Sequence, residues 1–144
     1  KALQRYAGSL GMRVVPIIGK IEAEIAELPR EDRRVFLEDI GLERSGLERL
    51  IQEGYDMLRL VTFYTTAGVE IRAWTVEKET PAPRAAGKIH TDMERGFIRA
   101  EVISYEDFIQ AGAMSAARER GKIRSEGKDY CIQDGDIVLF RFRA

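Results

Sequence analysis

The sequence predicts an α+β fold, with helices through residues 1–59 and strands dominating residues 60–144. Three observations carry this. Apolar residues recur at helical spacing early in the chain, as at Ile21, Ile25 and Leu28. From Leu60 the composition turns to Val, Thr, Phe and Tyr, and the apolar period shortens. Pro29, Gly41, Pro81, Pro83 and Asp134-Gly135 supply breaks between the periodic segments.

Residues 1–11 read as the end of an amphipathic helix closed by Gly8 and Gly11. Val14-Val15-Pro16-Ile17-Ile18 is an unbroken apolar run and predicts a buried strand of a parallel sheet. Such a strand needs partners that this chain does not supply. With Lys1 rather than Met at the start, the chain reads as part of a longer protein. Ile21, Ile25 and Leu28 mark one helix, stopped by Pro29, and Phe36, Leu37 and Ile40 a second, closed by Gly41. Ser45-Gly46-Leu47-Glu48 has the spacing of a capping box and opens a third helix. Its expected apolar face is Leu47, Leu50, Ile51, Tyr55 and Leu58.

Leu60–Thr66 predicts a strand and Ala67-Gly68 a turn. Val69, Ile71 and Ala73 then alternate with Glu70, Arg72 and Trp74, as in a half-buried second strand. Pro81 and Pro83 start a short helix carrying Ala85, Ala86, Ile89 and Met93 along one side. Phe97–Ile103 predicts a third strand, and Ser104 with Asp107 caps another short helix. Residues 112–128 are basic and irregular or weakly helical. Tyr130–Ile132 and Ile137–Phe142 predict a hairpin across Asp134-Gly135. Strand, strand, helix, strand and a final hairpin is the element order of a β-grasp (ubiquitin-like) domain over residues 60–144.

Bulk properties narrow the function little. A third of the 144 residues are charged, yet the net charge is −1, which argues neither for nor against nucleic acid. The lone Cys131 excludes an internal disulfide and a cysteine metal cluster, and suits a reducing, cytoplasmic setting. There is no apolar run of membrane-spanning length and no signal peptide.

The most informative stretch is Gly87–Ile103, where a short helix runs through His90-Thr91-Asp92 towards a strand. Together with Arg72-Ala73-Trp74-Thr75, Glu126-Gly127-Lys128-Asp129-Tyr130 and Asp134-Gly135-Asp136, it resembles the Obg-like ATPases, the YchF group of translation-associated P-loop nucleotidases. The resemblance runs from about Val14 to Phe142. It implies a TGS domain of β-grasp fold over residues 60–144. Residues 1–59 would be the C-terminal remnant of an α/β P-loop nucleotide-binding domain with its connecting helices. It further implies a cytoplasmic parent that binds ATP or GTP with Mg²⁺, hydrolyses it and associates with ribosomes or RNA. The TGS module would then be a binding module next to the upstream nucleotidase domain of the same protein, with no role at a membrane and no reading of DNA sequence. The loop at Tyr64–Glu70 differs by about a residue from the usual family spacing, so no loop contact is carried over.

The phosphate chemistry is not in this chain. A P-loop ends in Gly-Lys-Ser/Thr, whose amides and lysine hold phosphates and whose hydroxyl binds Mg²⁺. Gly19-Lys20, Gly87-Lys88, Gly121-Lys122 and Gly127-Lys128 all lack that hydroxyl and a first glycine at the right distance. The expectation is no catalytic residue and no metal site here. One scrap of nucleotide chemistry is implied by the resemblance: Ile18, Gly19 and Lys20 occupy the position of a base-contacting loop. Ile18 replaces its serine, which leaves the Gly19 amide to meet a base edge. A plain strand-to-helix turn requiring a small residue is the alternative.

His90 beside Thr91 and Asp92 suggests a general acid or a base-stacking ring, against a structural role at a helix end, which the absence of a nucleophile or second base favours. Arg118, Arg120, Lys122, Arg124 and Lys128 form a basic run fit for RNA phosphates. Arg72, Arg84, Lys88, Arg95 and Arg99 lie on neighbouring elements, with Arg72, Lys88 and Arg95 taken as further RNA or ribosome contacts. Trp74, Tyr64, Phe97 and Tyr105 offer stacking faces. For both groups the alternative is a solvated surface with ordinary core aromatics. Three functions stay open: the TGS-bearing end of an Obg-like ATPase, a TGS module of a synthetase or stringent-response enzyme, and a β-grasp protein-interaction domain without RNA binding.

Overall fold

The computed structural model describes residues 2–67 and 70–143. The chain divides into two compact units, Lys1–Met57 and Leu58–Ala144. The first is helical: α1 Ala2–Ser9, α2 Gly19–Glu27, α3 Arg30–Asp39 and α4 Gly46–Met57. The capping box forms. The Ser45 hydroxyl accepts from the Glu48 amide at 3.1 Å, and the Glu48 carboxylate accepts from the Ser45 amide at 2.8 Å. A second carboxylate joins it, because Glu22 of α2 accepts from the Gly46 amide at 2.6 Å and the Leu47 amide at 3.3 Å. A side chain at position 46 would press on that Glu22 carboxylate, so glycine admits the long-range cap.

Two expectations for this unit fail. Val14–Ile18 is not a strand; the segment runs from Met12 to Ile18 without ladder bonds, and Pro16, Ile17 and Ile18 are exposed. A β-branched run becomes a strand only when a partner meets its backbone. The intended inner face of α4 is also open, with Leu47, Leu50, Ile51 and Leu58 exposed and Tyr55 half-buried. Among the described residues of the unit only Ala7, Ile25 and Leu37 are buried apolar side chains, whereas Leu3, Tyr6, Leu10, Met12 and Val35 add to the exposed ones.

The second unit contains β1 Leu60–Ala67, β2 Glu70–Glu77, α5 Ala82–Ile89, α6 Thr91–Arg95, β3 Phe97–Ile103, α7 Tyr105–Ala111, α8 Met114–Glu119, β4 Arg124–Glu126 and β5 Ile137–Phe142. The strands form one sheet in the order β2-β1-β5-β3-β4. β1 and β5 are parallel, and the other pairs are antiparallel. Successive residues of a strand face opposite sides, and each side has its own core. Val61, Phe63, Val76, Ala100, Val102, Val138 and Phe140 pack with Ala82, Ala85 and Ala86 of α5 and with Ile132. On the other side Ile103 and Ile137 pack with Ala117 of α8, helped by Phe108, Met114 and Ile123.

The parity of β2 is the reverse of the expected one. Trp74 and Val76 face the α5 side, opposite Phe63 and Val61, while Ile71 is 72 % exposed. Cross-strand pairing with the fully buried Phe63 fixes this register, and a slip of one residue would turn Trp74 out. Gly68 and Val69, and with them the expected turn, lie outside the described residues. The final hairpin does not form: Tyr130–Ile132 makes only an isolated bridge, Cys131 to Pro81, and β5 pairs with β1 and β3 instead. The Asp134-Gly135 turn is anchored on β1. Asp134 accepts from the Thr62 amide and the Gly135 amide donates to the Thr62 carbonyl, both at 2.8 Å. β4, inside the stretch expected to be irregular, adds a short edge strand to β3.

Both cores of the sheet unit are internal to it. Residues 58–144 expressed alone are therefore expected to unfold cooperatively and to give a dispersed proton NMR spectrum; a collapsed spectrum would contradict the unit boundary.

Candidate nucleic-acid interface

The densest polar cluster lies on the α8 side of the sheet and is built around Glu101 of β3. Its side chain is 9 % exposed. Arg99 reaches it at 3.1 Å, Arg118 from α8 at 3.0 Å, and Arg141 from β5 through two contacts at 3.1 and 3.4 Å. Strand alternation makes this possible: Arg99, Glu101 and Ile103 share one face of β3, and Ile137, Leu139 and Arg141 share the same face of β5. Arg99 and Arg141 are direct cross-strand partners. A recess of about 220 Å³ opens here, lined by Arg99, Glu101, Arg118, Ile123, Arg124 and Ser125.

The guanidiniums of Arg141 and then Arg118 hold the Glu101 carboxyl at about 2, well below its ordinary 4.5, against an opposing effect of burial. A depressed folded-state value contributes stability that is complete above the unfolded value and is lost as pH falls towards the folded one. The melting temperature of the sheet unit is therefore expected to drop as pH falls from 4.5 to about 2. Glu101→Gln should flatten that part of the profile, leaving the share that Asp107, held low by Lys122, contributes in both proteins. Parallel profiles for wild type and variant by circular dichroism would show that the arginines do not hold the carboxylate.

The remaining expected contacts are scattered by comparison. Lys122 pairs with Asp107 at 3.0 Å, and Arg120 donates to the Gln110 carbonyl at 3.3 Å. Arg124 lies 5.5 Å over the Tyr130 ring, bonds its hydroxyl at 3.2 Å, and approaches Glu126 and Asp136 at 3.5 and 3.8 Å. Lys128 is exposed after β4. Arg72 pairs with Glu70 on β2 at 2.7 Å. Arg84 and Lys88 on α5, and Arg95 on α6, are exposed. Of the basic residues singled out in the sequence, the fold thus joins Arg99 and Arg118 on one carboxylate. Arg141 and Glu101 went unremarked, because 40 residues separate them in the chain and only strand pairing unites them.

The expected stacking rings divide in the same way. Phe97 is core, edge-on to Phe140 at 6.2 Å. Trp74 packs on the α5-side core and donates its indole N–H to Thr65 at 3.0 Å. Phe97 is buried and Trp74 half-buried. Tyr105 is exposed and Tyr64 half-buried.

Ile18 is the N-cap of α2, with no side-chain cap, and Gly19 and Lys20 open the helix, exposed. A Cβ on Gly19 would meet nothing within 4 Å, so no neighbour among the described residues demands glycine there. Gly87-Lys88 lies inside α5, Gly121-Lys122 follows α8, and Gly127-Lys128 follows β4. None stands at a strand-to-helix turn, so these residues do not fit a nucleotide's phosphates. Among the described residues, no three His, Cys, Asp or Glu side chains are placed to hold a metal ion. No helix among them is long and apolar enough to cross a membrane.

His90 joins two helices. It ends α5, and its Nδ1 accepts from the Asp92 amide at 3.2 Å, capping α6. The same nitrogen stands 3.5 Å from the Asp92 carboxylate, so the ring's partners belong to the helix that follows it. His90→Ala is expected to lower stability by about 0.5–2 kcal/mol, the range of an N-cap loss; an unchanged denaturant midpoint would contradict the cap.

The family model YchF-GTPase_C, described as "Protein of unknown function (DUF933)", matches residues 60–143. The chain is 49 % identical over 140 residues to the "Ribosome-binding ATPase YchF" of Bacillus subtilis, covering 97 % of this chain and 38 % of that protein. It is 46 % identical over 132 residues to the "Obg-like ATPase 1" of Pongo abelii, covering 92 % and 33 %. The structure of the Schizosaccharomyces pombe YchF GTPase superposes with a TM-score of 0.82 at 30 % identity, covering 97 % of this chain and 37 % of that one. The chain thus spans between a third and two fifths of the length of these relatives.

Proposed function

This chain belongs to the YchF-GTPase_C family, and on that premise we propose that it is the ribosome- or RNA-engaging module of an Obg-like, YchF-type ATPase. The observation that carries the reading is the alignment of nearly the whole chain with a relative named a ribosome-binding ATPase. We read the sheet unit as a TGS domain of β-grasp fold. The order β2-β1-β5-β3-β4, the parallel central pair β1 and β5, and α5 after the first two strands support that reading.

In the same reading the module catalyses nothing itself. The parent's ATP or GTP, with Mg²⁺, would be held and hydrolysed by residues other than these, because the Gly-Lys pairs here lack the phosphate-loop hydroxyl. An upstream nucleotidase domain would be the natural partner of the helical unit. Its exposed Leu47, Leu50, Ile51, Ile17 and Ile18 are apolar surface that such a domain would remove from water. The base-contact role of Ile18, Gly19 and Lys20 belongs to that assembly, as does the cytoplasmic setting.

One observation favours a second reading, a TGS module that binds protein and no RNA. Three of the basic residues between 118 and 128 are paired with acids of the same unit. Cross-linking of the chain to ribosomes separates the two. Adducts on ribosomal RNA from residues 58–144 support the RNA-engaging module, and adducts confined to ribosomal proteins support the second reading. Calorimetry with Mg-ATP and Mg-GTP should show no one-to-one binding to the chain alone.

A further inference from the structure

We propose that Arg99, Arg118 and Arg141, gathered on Glu101, form a phosphodiester-binding site that docks an RNA backbone on the α8 side of the sheet. The inference rests on the RNA-engaging reading above and locates its contact. The charge count is the first argument. One arginine would neutralise the buried carboxylate, yet three converge on it, which leaves a local surplus of about two positive charges.

Placement is the second argument. Arg99 and Arg141 stand directly opposite each other on adjacent strands, an arrangement that costs stability for like charges. Glu101 offsets that cost while fixing all three side chains in place, which a flexible surface arginine would otherwise lose entropy to achieve.

Access is the third. The guanidinium-bearing side chains remain 51 %, 60 % and 47 % exposed. Four hydrogen bonds reach Glu101 from the three of them, so most of their N–H donors are not spent on that carboxylate. A planar fork of free N–H groups matches two phosphate oxygens. The adjacent recess gives a phosphate somewhere to sit between Arg99 and Arg118. The site touches no base-reading group, so it should hold RNA of unrelated sequences about equally.

The test is fluorescence anisotropy of a short labelled single-stranded RNA with the whole chain over a salt series. Arg99→Gln and Arg141→Gln should each weaken binding for unrelated sequences. Each should also flatten the slope of log affinity against log salt by about 0.7–1. Arg99→Lys keeps the charge and should keep the slope, which separates lost contact from lost fold. Arg34→Gln, on α3 and 87 % exposed, should change nothing. If the wild type binds RNA and the Gln variants bind as well, while Arg120→Gln or Lys128→Gln weakens it, the site is overturned and the RNA-engaging reading stands. If the wild type binds no RNA at low salt, or binds polyglutamate in its place, both are overturned.

Discussion

Phe63→Ala is expected to destabilise the sheet unit by about 3–5 kcal/mol, the cost of removing a buried phenyl ring and leaving a cavity. Phe63 is fully buried at the centre of β1. It meets Phe140 edge-on at 6.0 Å, and Phe140 meets Phe97 at 6.2 Å. Three strands therefore lock through one aromatic chain. A domain of this size is stable by about 5–15 kcal/mol, so the variant should stand near the limit of folding. Ile71→Ala is the matched control on the opposite face of β2, and it should change stability by no more than about 0.5 kcal/mol. Chemical denaturation of both variants checks the register of β2 as well as the core. Equal losses would mean that Ile71 is buried and that the pairing of β1 with β2 is wrong.

Asp136→Ala is expected to cost about 1–3 kcal/mol, because it removes a buried acceptor and leaves two part-buried donors without their partner. The carboxylate is almost fully buried. It accepts from the Tyr130 hydroxyl at 2.7 Å and from the Gln133 amide at 2.9 Å. The Asp136 carbonyl accepts from the Tyr64 amide at 2.8 Å, at the point where β5 aligns with β1. Losing the side chain therefore loosens the turn that sets the parallel pair. A second readout is Tyr130, whose phenol is pushed up to about 12 by burial first and then by the Asp136 hydrogen bond and charge. In the variant, spectrophotometric titration should find Tyr130 ionising nearer its ordinary value of 10. A raised folded-state value contributes stability that is complete below the unfolded value and is lost as pH rises through the folded one. Alkaline destabilisation between 10 and about 12 should therefore weaken in Asp136→Ala. An unchanged stability and an unchanged Tyr130 titration would show that the turn is held by its backbone alone.

The parts of this fold that were legible in the sequence are those whose signals are local. Ser45 with Glu48, Ser104 with Asp107, and Pro81 with Pro83 announce helix starts, and all three start helices here. β1, β3 and β5 carry enough β-branched and aromatic residues to declare themselves. What failed depended on partners. β4 is only Arg124-Ser125-Glu126, a polar edge strand with no apolar period, visible once β3 offers its backbone. Val14–Ile18 has a strand's composition but no ladder. Tyr130–Ile132 has a strand's alternation, yet the turn after it is captured by Thr62 of β1, which carries β5 away from it.

The candidate site shows the same divide. A run of basic residues is conspicuous between 118 and 128, but most of its members are paired within the unit. The surplus charge forms where Arg99, Arg118 and Arg141 meet on Glu101, from three different elements. Sequence reading flagged two of these arginines in separate groups and missed the third, since nothing along the chain signals that β3 and β5 are neighbours.

Sedimentation of the chain with purified ribosomes over a salt series tests the central claim most directly. A phosphate-binding module predicts that the chain pellets with ribosomes at low salt and is released progressively as salt rises, with a weaker salt dependence once Arg99 and Arg141 are replaced by glutamine. A folded chain that stays in the supernatant at low salt would contradict the account.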